Sequence, residues 1–141
     1  MSNTDIETNI TEVVQQIGPA VVTVVGSISF QSGPFGLTSS SEVSGSGVFI
    51  SNEGYLLTNY HVVEDANNLY IILSDGSESD VMLVGFDIYA DLAILKSEED
   101  VPAVAVLGNS DMLDPGETVI AIGSPLGDFK NSVTTGVVSA T

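Results

Sequence analysis

What most constrains this chain is a succession of short β-branched runs that do not alternate with helices. From about Ala20 onward come P-A-V-V-T-V-V, S-G-V-F-I-S, Y-L-L-T-N, N-L-Y-I-I-L, V-M-L-V-G-F, D-L-A-I-L-K, T-V-I-A-I-G and S-V-T-T-G-V-V-S. Branching at Cβ restricts χ1 and suits the pleated surface of a sheet, so runs of this length and composition read as strands. Turn chemistry separates them: a Gly/Pro/Ser-rich loop from Gly33 to Ser41, a tight turn at Glu53 and Gly54, and a hairpin signal at Asp75 and Gly76. Pro102 and Pro115 with Gly116 punctuate the later runs. Without strand–helix alternation a doubly wound parallel sheet is excluded, and an all-β antiparallel barrel or sandwich is expected. No internal repeat is present.

Ahead of the strands, Ile6, Ile10, Val13, Val14 and Ile17 recur at three- and four-residue steps. That spacing predicts an amphipathic helix ending at Gly18 and Pro19, packed on the domain or on a neighbouring subunit. A length of 141 residues fits one domain. Against 19 acidic residues stand only Lys96 and Lys130, a formal charge of -17. Such a chain repels phosphate backbones and anionic lipid, which argues against nucleic-acid and membrane-surface partners. Apart from Glu98, Glu99 and Asp100 the acids are scattered, which describes a solvated surface rather than an acidic tail. With no cysteine there is no disulfide, zinc-thiolate site or thiol nucleophile. The start, M-S-N-T-D-I-E-T-N-I, has no leader pattern, and no stretch reaches the length of a membrane span.

The only histidine, His61, follows the strand-like Tyr55 to Thr58 and opens H-V-V-E-D-A, which has the form of one helical turn. Thirty residues on, D-I-Y-A-D-L-A-I-L-K contains Asp91. An imidazole acting as general base for a serine hydroxyl needs a carboxylate to hold its tautomer and stabilise the imidazolium, and Asp91 fits that part. Two plainer readings stand beside this one: a lone histidine is commonly a surface residue, and Asp91 fits equally as the cap of a turn. Glu64 and Asp65, three and four residues after His61, open a metal reading that needs further carboxylates from elsewhere. D-G-S-E-S-D from Asp75 lacks calcium-loop spacing and reads as a hairpin tip.

The ordered motifs S-G-S-G-V-F-I, G-Y-L-L-T-N-Y-H-V-V, L-S-D-G, D-L-A-I-L-K, L-G-N-S-D, G-E-T-V-I-A-I-G-S-P-L-G and T-T-G-V-V-S-A, spread from Ser44 to Ala140, resemble the first half of the HtrA or Deg family of chymotrypsin-fold serine proteases. The resemblance implies that His61 is the general base and Asp91 its orienting carboxylate. It implies a six-stranded antiparallel Greek-key β-barrel over residues 20–123 after an N-terminal helix over 1–19, with 124–141 linking towards a second barrel and ending in an unpaired strand. In this family the serine lies in a G-N-S-G-G-type sequence of the second barrel, beside the oxyanion donors. These 141 residues hold no such sequence. Ser46 and Ser124 lie among glycines, but Ser44 and Ile122 occupy the place of the first glycine in G-x-S-x-G, so both read as strand-entry or turn residues. The chain by itself is therefore expected to be inactive, with no cofactor or metal, as the N-terminal half of an endopeptidase. The alternative is a non-catalytic single-barrel binding or scaffolding module. The resemblance further implies unfolded polypeptides as substrates and an extracytoplasmic setting. Self-association is expected through the exposed barrel face or the last strand.

Overall fold

The computed structural model describes residues 3–32, 36–124 and 132–140. Helix α1 (Asn3–Ile17) passes through a 3-10 turn at Gly18–Ala20 into strand β1 (Val21–Ser32). Pro19 ends the helix because it has no N–H to continue the ladder. Then follow β2 (Leu37–Phe49), β3 (Tyr55–Thr58), β4 (Asn68–Ile72), β5 (Glu78–Asp87) and β6 (Leu92–Ser97). These strands close into a barrel in the order β1-β2-β3-β6-β5-β4, every neighbouring pair antiparallel. The β3–β6 and β1–β4 neighbours make it the expected Greek key.

Alternation along the strands fills the interior. Val22 and Val24 of β1, Phe49 of β2, Leu56 of β3, Ile71 of β4, Val81 of β5 and Leu95 of β6 are buried together. Each such side chain contributes about 1.5–3 kcal/mol relative to exposure. The barrel is narrow enough that Gly47, facing Val22, has no room for a side chain: a Cβ there would meet Val24 Cγ2 at 2.7 Å. Ser79 and Ser97, both buried, satisfy each other at 3.2 Å. The expected turns at Gly54 and Gly76 carry positive φ, +100° and +88°, the region glycine enters without a Cβ penalty.

In two places the chain departs from the expectations of its sequence. Residues 37–41, read as loop, are strand: β2 begins at Leu37 and pairs residue by residue with β1 as far as Ser32. A backbone ladder offered by a long neighbouring strand outweighs the weak strand preference of a serine-rich stretch. The run Thr118–Gly123 forms strand β7 but lies outside the barrel, because each barrel strand already has two neighbours and no edge is left to receive it. It pairs instead with β8 (Ser132–Val137), from Thr118↔Val137 to Gly123↔Ser132, so the last strand is not unpaired as expected. The stretch 98–117 leads out of the barrel, with the Ala105 N–H donating to the Phe49 carbonyl at 2.9 Å. The G-S-P-L-G sequence falls in the β7–β8 connection, whose residues 125–131 lie outside those described.

Candidate active site

After β3 and Asn59 the chain makes one helical turn, α2 (Tyr60–Val63), with His61 exposed and Val62 and Val63 buried in the core. Two glycines within neighbouring strands let this turn lie close against the barrel. A Cβ at Gly26 of β1 would sit 2.7 Å from the Val62 carbonyl oxygen, and one at Gly45 of β2 would sit 2.8 Å from Val62 Cγ2. Glycine inside a strand is otherwise unfavourable, and here it marks a close approach. The S-G-S-G sequence is thus interior strand rather than turn, and it seats the element that carries His61.

Asp91 comes from the short connection between β5 and β6. Asp87 organises that connection: its Oδ1 accepts from the N–H of Tyr89 at 3.0 Å and of Ala90 at 3.2 Å. The turn-capping part that the sequence allowed for Asp91 therefore belongs to Asp87, and the Asp91 carboxylate is left to face α2. Asp91 has φ +56°, a left-handed conformation that aspartate tolerates better than most residues. Three consecutive residues hold it there. Its carbonyl oxygen accepts from Asn59 Nδ2 at 3.1 Å and from the Tyr60 N–H at 3.2 Å, and its Oδ1 accepts from the His61 N–H at 2.8 Å.

Asp91 Oδ2 then lies 2.7 Å from His61 Nδ1. Since an ionised carboxylate only accepts, Nδ1 carries the proton and the lone pair of the neutral ring is on Nε2. The side-chain hydrogen bond from His61, followed by its backbone N–H, holds the Asp91 carboxyl below the ordinary aspartate value. Both groups are open to solvent, with side chains 62% and 42% exposed. A β-bulge between Leu83 and Gly85 places Phe86 opposite Ala93, and its ring stacks on Tyr60 at 4.7 Å between centroids, bracing α2 from the β5 side.

Glu64 and Asp65 are exposed and, among the described residues, no group of three or more His, Asp or Glu side chains gathers to hold a metal ion. Sequence reasoning did not single out Asp87, Asn59 or Phe86. Asp87 was legible in principle, since an aspartate two and three residues before the N–H groups it accepts is the Asx-turn pattern. Asn59 and Phe86 act across the fold, and no local signal marks them.

Residues 45–141 match the family model of the trypsin-like peptidase domain. A probable periplasmic serine endoprotease, DegP-like, of Pseudomonas fulva (strain 12-X) is 56% identical over 97 residues, which is 68% of this chain and 20% of that protein. The serine protease Do-like HtrA of Bacillus subtilis (strain 168) is 43% identical over 142 residues, covering 92% of this chain and 32% of that protein. The chain thus spans between a fifth and a third of the length of these two relatives. A solved HtrA-type protease with a decapeptide superposes with a TM-score of 0.81 at 34% identity, covering 92% of this chain and 44% of that one. Barrel, site geometry and sequence match agree, and the chain belongs to the HtrA/DegP family of trypsin-like serine proteases, of whose protease domain it covers the N-terminal portion.

Proposed function

We propose that residues 1–141 supply the general base, His61, and its orienting carboxylate, Asp91, to a Ser-His-Asp endopeptidase whose serine and oxyanion donors lie outside these residues. The observation that carries this reading is the 2.7 Å contact of His61 Nδ1 with Asp91 Oδ2, which turns the basic Nε2 away from the carboxylate. In such a triad Nε2 takes the hydroxyl proton as the serine oxygen bonds to the scissile carbonyl carbon. Asp91 stabilises the resulting imidazolium, and the same proton passes to the leaving amine as the C–N bond breaks. Without the nucleophile and the oxyanion donors the covalent step and its main electrostatic stabilisation are missing, so the 141-residue chain by itself is inactive.

In this reading residues 1–19 are a helical lead, the barrel is the first of two, and the β7–β8 hairpin opens the second. The substrates are unfolded polypeptides met outside the cytoplasm, a reading supported by relatives named periplasmic endoproteases. No helix among the described residues is long and apolar enough to cross a membrane.

The test is to read the coding sequence past the codon for Thr141 and to treat the encoded protein with a fluorophosphonate probe. The expected result is labelling of a serine in a G-N-S-G-G-type sequence, lost in His61→Ala. A stop codon directly after Thr141, or His61-dependent peptide cleavage by the 141-residue chain, would overturn the proposal.

A further inference from the structure

Ser46 and Ser124, each set among glycines, lie 78 residues apart in the chain and meet in the fold. The Ser124 N–H donates to Ser46 Oγ at 3.0 Å. Ser124 Oγ lies 2.5 Å from Thr23 Oγ1, and the Thr23 hydroxyl also reaches the Ser124 carbonyl oxygen at 3.4 Å. Thr23 and Ser46 are directly opposed in the β1–β2 register, so they present their hydroxyls side by side on one face of the barrel wall. Ser46 is itself held through its carbonyl, which accepts from Thr58 Oγ1 at 2.8 Å. Thr23 is only 3% exposed, so its hydroxyl has few partners other than Ser124 to satisfy it.

These contacts join two sheets that share no backbone ladder, the barrel and the β7–β8 hairpin. Beside them, Ile120 and Ile122 of β7 line, with Ile17, Val21, Val48, Leu57 and Leu92, an open cleft of about 400 Å³ that reaches Asn59. Apolar contact along an open cleft is non-directional and leaves the hairpin free to slide or tilt. Hydrogen bonds with defined angles do not.

The geometry points to Thr23, Ser46 and Ser124 as positioning residues: a hydroxyl latch that sets where the β7–β8 hairpin sits on the barrel, and with it the width of the cleft beside Asn59 and Leu92. Asn59 holds the Asp91 carbonyl and Leu92 follows Asp91, so this cleft borders the His61–Asp91 pair. The latch acts through the hairpin and touches neither member of that pair.

The test uses the 141-residue chain and no activity assay, so its failure leaves the proposed catalytic roles of His61 and Asp91 untouched. Amide hydrogen exchange and ¹⁵N relaxation are compared in the wild type, in Thr23→Val/Ser46→Ala and in Ser46→Ala against Ser46→Thr. The double variant is expected to speed exchange at the Ser124 amide roughly tenfold or more. Thr118 to Gly123 should then relax separately from the barrel, while the protection of Leu56 and Leu95 stays at its wild-type level. Ser46→Thr keeps a hydroxyl on a strand-compatible side chain and should restore Ser124 protection relative to Ser46→Ala. Unchanged Ser124 exchange with a hairpin that still tumbles with the barrel would overturn the latch. So would failure of Ser46→Thr to restore protection, or loss of protection at Leu56 and Leu95 in parallel with Ser124.

Discussion

His61 and Asp91 are attached twice: imidazole Nδ1 meets Oδ2 at 2.7 Å, and the His61 backbone N–H donates to Oδ1 at 2.8 Å. The carboxylate is therefore oriented by the backbone of α2 as well as by the imidazole ring. A bidentate arrangement of this kind fixes direction as well as distance.

The first consequence concerns pH. The His61 side chain is the largest cause of the lowered Asp91 pKa, and its backbone N–H is the next. A carboxyl lowered by folding contributes stability that is present above its unfolded value and is lost as the pH falls through its folded value. A ¹³C carboxyl titration should accordingly place Asp91 below 3.8, and His61→Ala should move it back towards that value. An Asp91 carboxyl in the wild type that titrates at or above 3.8 would contradict the geometry.

A second expectation concerns catalysis in the serine-bearing endopeptidase that the proposed function calls for. Asp91→Asn keeps the shape of the side chain, but with its amide oxygen still accepting from the His61 N–H it turns an N–H donor towards Nδ1 and no longer selects the Nδ1–H tautomer. The kcat for peptide hydrolysis should fall on the order of ten-thousand-fold. A loss smaller than tenfold would show that something other than Asp91 orients His61.

The close seat of α2 gives a stability prediction. Gly45→Ala drives a methyl group into Val62, whose Cγ2 lies 2.8 Å from the new atom, and should cost about 1–3 kcal/mol in chemical denaturation while shifting the His61 ring resonances. Gly85→Ala meets nothing within 4 Å and should stay within about 0.5 kcal/mol of wild type. Equal effects of the two substitutions would mean that the strand glycines are not there to admit α2.

Apolar side chains stand exposed on the segment leaving the barrel and on the hairpin, among them Val106 at 90%, Met112 at 74% and Val137 at 62%. With a formal charge of -17 opposing contact, self-association should strengthen with salt. Sedimentation at low and at moderate ionic strength measures this, and a strict monomer at high concentration in both would refute it.

The strands were legible because their signal is local. Side-chain alternation and turn residues are properties of neighbours in the chain, so every run named from the sequence is a strand, and the turns at Gly54 and Gly76 fall where those glycines stand. The ordered motifs around His61 and Asp91 pointed to these two residues as a candidate site, whereas the turn-cap part that the sequence equally allowed for Asp91 is taken by Asp87. The serine-rich start of β2 is not legible in the sequence, because its composition speaks for a loop while its partner strand speaks for a ladder.

By itself the sequence determined an all-β chain and the place of its turns, since each depends on side chains a few positions apart, while His61 and Asp91 were offered as a pair by a family resemblance carried on motifs spread from Ser44 to Ala140. Only the tertiary structure decided that β7 leaves the barrel for β8, that Gly26 and Gly45 make room for Val62, and that Ser46 meets Ser124. Those relations join residues far apart in the chain. They depend on which edges remain unpaired once the barrel has closed and on which faces then lie opposite, and no local pattern of residues encodes either.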